Sequence, residues 1–202
     1  MPTDIKSLTR EELEAQFKRW NEPAYRVTQL LEWLYARRAV SWDAMKNLPK
    51  SLREKLHETF SLHSLELVRK QGAQDTTQKF LWKLADGSLI ESVLIPANPA
   101  LFGEDSDRHT LCISTQVGCA YGCKFCASGL DGWKRNLTPD EIVEQVLAVE
   151  RHVTSDKRQL TRNEEIPSPV NRHLSRVVDN VVVMGMGEPL RITIICSRRS
   201  KS

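Results

Sequence analysis

Cys119, Cys123 and Cys126 lie in the run Gly118-Cys119-Ala120-Tyr121-Gly122-Cys123-Lys124-Phe125-Cys126, a C-x3-C-x2-C spacing. Three thiolates from one tight loop suit a cubane cluster, which has four irons and ordinarily takes four thiolates. One iron then has no protein ligand. An open iron takes a small chelating cofactor, and such a pairing carries out one-electron chemistry. The spacing therefore points to a reaction class before any fold is known.

Other readings stay open on spacing alone. A structural zinc site closes a tetrahedron with separated pairs of Cys or His. Cys112 would add a fourth sulfur, but no second C-x2-C pair stands elsewhere in the chain. Inert buried thiols are the third reading. A disulfide framework fits poorly, because five cysteines is an odd number. The residues Met1-Pro2-Thr3-Asp4-Ile5-Lys6 have no apolar core of a leader, and no stretch is long enough to span a bilayer. A cytoplasmic location and no membrane partner are expected, and a reducing compartment suits thiolate ligands.

Gly185-Met186-Gly187-Glu188-Pro189 is a second candidate site, directly after the apolar run Asn180-Val181-Val182-Val183-Met184. Glycines at the C-terminal end of a strand let backbone approach a ligand closely, and parallel α/β folds bind ligands at that edge. It is not a dinucleotide fingerprint: a third glycine is missing and Pro189 breaks the helix entry. Alone it reads as a tight turn. One βαβ unit after a three-cysteine loop, it fits a pocket for the amino group of S-adenosylmethionine.

The elements that must position these residues follow from periodicity. Thr9-Arg10-Glu11-Glu12 is a capping box leading into Leu13, Phe17 and Trp20. Val27, Leu30, Leu31 and Leu34 form a second helical stripe after Pro23, and Leu52, Leu56 and Phe60 a third after Pro49. Arg26, Arg37, Arg38, Lys46, Lys50, Arg53 and Lys55 lie among them, interleaved with Trp33, Tyr35 and Trp42. Such a mixture grips RNA through phosphates and stacking. A helical bundle with a solvated basic face explains it equally well, and a net charge of +3 permits nucleic acid without requiring it.

From Leu65 to Ile95 the period becomes two. Phe80, Trp82 and Leu84 precede the turn Ala85-Asp86-Gly87-Ser88, and Leu89 to Ile95 return as a hairpin strand. Glu91 shares a face with Leu89, Val93 and Ile95. A carboxylate in an apolar row is placed to accept a proton; an exposed sheet edge is the plainer reading. His109 to Gln116 reads as a strand feeding the cysteine loop, Thr138-Pro139-Asp140-Glu141 starts a helix, and Asn180 to Met184 reads as a buried parallel strand. Strand, helix and strand make one βαβ unit. The polar stretch 154–179, with Pro167 and Pro169, is expected as a surface insertion.

Taken together, these residues resemble the RlmN family of radical-SAM RNA methyltransferases, to which the Cfr enzymes are related. The match includes Tyr25 to Tyr35, Glu91-Ser92-Val93-Leu94-Ile95-Pro96, Leu111 to Cys119, the cysteine loop, Trp133-Lys134-Arg135-Asn136-Leu137 and Met184 to Leu190. The resemblance implies methylation of carbon 2 of an adenine in 23S rRNA and in tRNA. It also implies a 4Fe-4S cluster on Cys119, Cys123 and Cys126, with S-adenosylmethionine contacts at Gly187 and Glu188. Glu91 takes the role of proton acceptor. Cys112 is the thiol that releases a transient protein–RNA thioether by forming a disulfide. The family methylates a cysteine first and converts that methyl group to a radical that adds to the base. RNA, an external electron donor and a monomeric state are the implied partners.

The implied fold is α/β. Residues 1–62 form a small helical, RNA-binding type domain, 63–100 a β-hairpin connector, and 101–190 the start of a radical-SAM partial (β/α)6 barrel, incomplete in this chain. Residues 191–202 diverge from the family, and Cys196 is not assigned as its methyl-carrying cysteine. A chain holding only the first two barrel strands is expected to be inactive alone. A non-catalytic RNA-binding fragment and a zinc-stabilised binding module are the alternatives.

Overall fold

The computed structural model describes residues 2–72, 77–97, 108–121, 123–130, 132–160 and 177–187. They fall into two compact units, one running to Ser64 and one beginning at Leu65.

In the first unit, Asp4 caps a short 3-10 turn at Ile5–Ser7 by accepting from the Lys6 amide at 2.9 Å. Helix α1 (Arg10–Arg19) opens with both bonds of its capping box: Glu12 N to Thr9 Oγ1 at 3.2 Å and Thr9 N to Glu12 Oε2 at 2.7 Å. Helix α2 (Tyr25–Leu31) widens into a π turn over Glu32–Ala36, and α3 spans Lys50–Thr59. Their apolar stripes meet in one core around Phe17, Leu30, Met45 and Leu56. Two cations stack on rings, Arg26 over Tyr25 at 4.9 Å and Arg37 over Trp33 at 4.5 Å. Trp42 and Arg38 depart from the sequence reading. Both are buried, so neither stands on an open basic face.

The second unit is built on a mixed five-stranded sheet, β1 (Glu66–Gln71), β2 (Gln78–Lys83), β3 (Leu89–Pro96), β4 (His109–Cys112) and β7 (Asn180–Val182), in the order β1-β2-β3-β4-β7. The first four strands run antiparallel and β7 runs parallel to β4. Helix α4 (Pro139–Leu160) is the crossover between β4 and β7, because parallel neighbours require one. A separate two-stranded ribbon pairs β5 (Gln116–Gly118) with β6 (Trp133–Asn136). Alternation along the sheet turns Phe80, Trp82, Ile90 and Leu94 inward, where they share one core with Ala148, Val149 and Val153 of α4. The hairpin expected as a connector is hydrogen-bonded through β3 to β4, so it shares this sheet.

Three expected elements differ in detail. The strand expected over His109–Gln116 breaks after Cys112, because the Ser114 amide turns to Gln145 and the Thr115 amide to Met186. The strand expected over Asn180–Met184 ends at Val182 and is an edge of the described sheet, with Val181, Val183 and Met184 exposed. The polar stretch expected from residue 154 begins inside α4, which continues to Leu160, and its far end is buried at Val177 and Val178. Glu150 of α4 holds that end by accepting from the amides of both valines, at 2.9 to 3.1 Å. Residues 161–176 and the tail 191–202, with Cys196, lie outside the described residues.

Arg135 on β6 clips hairpin and helix together. Its guanidinium forks onto Glu141 at 2.7 and 2.8 Å and reaches Asp86 at 2.8 Å. The Glu141 and Asp86 bonds outweigh burial and raise its pKa. Burial presses the Asp86 carboxyl up, but hydrogen bonds from Ser88 and Arg135 outweigh it and hold the group below its ordinary 3.8. A carboxyl held low stabilises the fold above its unfolded pKa and loses that contribution as pH falls through the native one. Asp86→Asn should therefore lower stability at neutral pH by at most about 1 kcal/mol, since the pair is partly screened. Urea titrations should show that deficit vanishing in acid; a deficit unchanged into acid would refute the assignment.

Candidate active site

The cysteine loop is fixed at its base. Gly118 has φ of +74°, and a Cβ there would stand 1.8 Å from the Gly132 carbonyl oxygen, so only glycine closes β5 against the residues leading into β6. Gln116 is buried beneath the loop, donating from Nε2 to Asn136 Oδ1 at 2.8 Å and accepting from the Ala120 amide at 3.4 Å. Within the loop the Cys126 amide donates to the Cys123 carbonyl at 3.0 Å. Cys112, Cys119, Cys123 and Cys126 are free and half-buried. Phe125, between Cys123 and Cys126, is 94% exposed. Among the described residues no three His, Cys, Asp or Glu side chains converge on a single-ion site.

The turn after β7 is held against the residues between β4 and β5. The Gly185 amide donates to Ile113 O at 2.9 Å, and Met186 O accepts from the amides of Thr115 and Gln116 at 2.9 and 3.1 Å. Met186 N donates to Ser114 Oγ at 2.9 Å. Gly187 has φ of +110°, and a Cβ on it would lie 2.7 Å from the Gln116 side chain. Glu188 and Pro189, the remainder of the motif, lie outside the described residues.

Glu91 sits on the outward face of β3, the face that alternation gives to Leu89, Val93 and Ile95. That row is the open one, because Ile90, Ser92 and Leu94 take the core side. The Glu91 carboxylate pairs with Lys79 of β2 at 2.6 Å. Both line a cavity of about 400 Å³ together with Gly118, Ala127, Ser128, Lys134 and Met186. The carboxylate, both ends of the cysteine loop and the glycine turn thus border one space. The thiols of Cys119, Cys123 and Cys126, Gly187 and Cys112 are not among its lining residues. Cys112 lies on β4 opposite Val93 and Val182. Burial pushes its thiol up, and a hydrogen bond from the Met184 backbone offsets this only in part.

Lys79, Lys134, Ser114 and Gln145 were not singled out by sequence reasoning. Gln145 left a trace, as a polar residue beside the apolar face Ile142, Val146 and Val149. Ser114 and Lys134 fell inside the runs that carry the family resemblance, and Lys79 left no trace.

Residues 3–62 match the family described as "Ribosomal RNA large subunit methyltransferase N-terminal domain". The chain is 48% identical over 182 residues to "Probable dual-specificity RNA methyltransferase RlmN 3" of Opitutus terrae, covering 90% of this chain and 46% of that protein. It is 46% identical over 186 residues to "Probable dual-specificity RNA methyltransferase RlmN" of Akkermansia muciniphila, covering 92% and 46%. Over about nine tenths of its own length the chain is similar to RlmN proteins. It spans about half the length of the curated relatives it matches. Among solved structures it is similar to a radical SAM methyltransferase from Sphaerobacter thermophilus, with a TM-score of 0.74 and 38% identity over 98% of this chain and 50% of that one.

The chain should show a slow thiol at Cys112, because the thiolate is the nucleophile and burial disfavours it. Iodoacetamide labelling read by peptide mass spectrometry should find Cys112 reacting several-fold more slowly than glutathione at pH 8. Labelling as fast as glutathione would contradict the buried setting.

Proposed function

We propose that this chain carries the cluster and S-adenosylmethionine sites of a radical-SAM enzyme that methylates carbon 2 of adenine in RNA. The observation that carries this reading is the shared cavity of Glu91, the two ends of the cysteine loop and Met186. The donor set fits a cluster: Cys119, Cys123 and Cys126 are free thiols on one loop, and a four-iron cluster spreads its thiolates over separate corners. The turn fits the amino-acid end of S-adenosylmethionine, because the positive φ and crowding at Gly187 leave backbone, not side chain, facing a ligand. Glu188 completes that contact in this reading. When bound together, the two groups supply reductive cleavage of the sulfonium and so hydrogen-atom abstraction.

The chain's own residues do the rest. Lys79 pins the Glu91 carboxylate at the cavity, where it accepts the proton leaving carbon 2. Cys112 supplies the sulfur that releases the covalent protein–RNA adduct, closing a disulfide with the methyl-carrying cysteine. The fold that would hold the whole reaction is a partial (β/α)6 barrel, with β4, α4 and β7 as its first βαβ unit. RNA is the substrate class, 23S rRNA and tRNA in particular. In the helical unit, Arg26 on Tyr25 and Arg37 on Trp33 provide stacked cationic planes suited to it. An external electron donor, a monomeric state and a cytoplasmic location complete the reading.

Anaerobic reconstitution with iron and sulfide, followed by EPR of the reduced protein, tests the site. About four irons per chain and a signal altered by S-adenosylmethionine are expected. Zinc instead of iron, or no stable metal, would overturn it in favour of a binding module. Joined to the C-terminal half of a relative, the chain should produce 2-methyladenosine in RNA. Cys112→Ala should then accumulate a covalent protein–RNA adduct on denaturing gels, and turnover without any adduct would remove the role given to Cys112.

A further inference from the structure

The elements that border the cavity are tied to one another at a single buried hydroxyl. Ser114 Oγ donates to the Glu91 carbonyl at 2.6 Å and accepts from the Met186 amide at 2.9 Å. A hydroxyl has one proton and two lone pairs, so it serves both neighbours at once. Its own backbone is gripped from α4: Ser114 N donates to Gln145 Oε1 at 2.8 Å, and Gln145 Nε2 donates to Ser114 O at 2.9 Å. Gly185 leaves the space for this, since a Cβ there would stand 2.7 Å from Ser114 Oγ and from the Ile113 carbonyl.

We infer that Ser114, set in place by Gln145, is a positioning residue that registers the S-adenosylmethionine turn against the strand bearing Glu91. This rests on reading that turn as the cofactor pocket. An alanine at 114 would leave the Met186 amide without its acceptor inside the protein, so the turn moves to satisfy it elsewhere. The backbone offered to the ligand moves with it.

Ser92 provides the control. Its hydroxyl donates to the same Gln145 at 2.9 Å and accepts from Trp82 Nε1 at 3.2 Å, but touches neither the turn nor the Glu91 carbonyl. S-adenosylmethionine is titrated onto the reconstituted, reduced chain and followed by EPR. Ser114→Ala should raise the Kd about tenfold, whereas Ser92→Ala, which loses more deeply buried bonds, should leave it within about twofold. Amide exchange at Met186, measured on the cluster-free chain, should accelerate in Ser114→Ala alone. Equal shifts in both variants, or none in Ser114→Ala, would reduce Ser114 to ordinary packing and overturn the inference. A parent chain that gives no response to S-adenosylmethionine would overturn the pocket reading itself, and the positioning role with it. The exchange difference would then survive as a purely structural anchor. Should Ser114→Ala fail to fold, Ser114→Cys takes its place with the same outcomes, a thiol being a weak donor of nearly the same size.

Discussion

A buried amide side chain, Gln145, holds the second unit in register. It stands on the inward side of α4 with no solvent exposure, where an apolar residue would pack as well. Burying an amide unpaired costs roughly 1–3 kcal/mol, so such a residue persists only where its polar atoms are answered. Here they are: Oε1 accepts from the Ser92 hydroxyl and the Ser114 amide, and Nε2 donates to the Ser114 carbonyl. One helix position thereby fixes the middle of β3 and the chain just beyond β4. An apolar residue would fill the volume but would let Ser114 rejoin the β4 ladder. The break after Cys112, and with it the path into the cysteine loop, depends on that competition.

The cysteine loop inherits its geometry from its base. Gln116 and Gly118 fasten its entry and the β5–β6 ribbon fastens its exit, while Phe125 and Tyr121 stand in solvent. An aromatic tip that buries little carries few of the contacts that resist local opening. Rigid feet and a lightly held tip suit the proposed cluster, which would be too large for the loop itself to enclose. The same division holds for the glycine turn, anchored through the Met186 amide and carbonyl, with the Gly187 backbone free of any Cβ.

Much of this was legible in the residues, for identifiable reasons. The capping box at Thr9 and Glu12 and the proline-led start at Thr138 are local chemistry, and both helices begin where those residues place them. Alternation predicted the β2–β3 hairpin and put Glu91 on the correct face, but not which face was open. Burial is a property of the packing partner, here α4, and no single strand encodes it. Trp42 shows the same limit from the other side: composition placed it in a basic, aromatic face, while the packing of the 3-10 turn at Trp42–Ala44 took it into the core. Lys79 could not be read at all, because its meeting with Glu91 depends on the register of two strands.

Glu91 is constrained at two levels, which matters for the carboxylate proposed to accept a proton. Its backbone carbonyl is bonded to the Ser114 hydroxyl, and its side chain is drawn across the strand pair to Lys79. The lysine alone would be a weak device, since both groups are part exposed and a solvated ion pair contributes little to stability. Its value is directional: a carboxylate on a free side chain samples several rotamers, and an ammonium at 2.6 Å selects one that borders the cavity. The backbone anchor sets where the strand lies and the ion pair sets where the carboxylate points. Neither suffices without the other, because a displaced β3 would carry the ion pair away from the turn, and a fixed β3 without Lys79 would leave the carboxylate undirected.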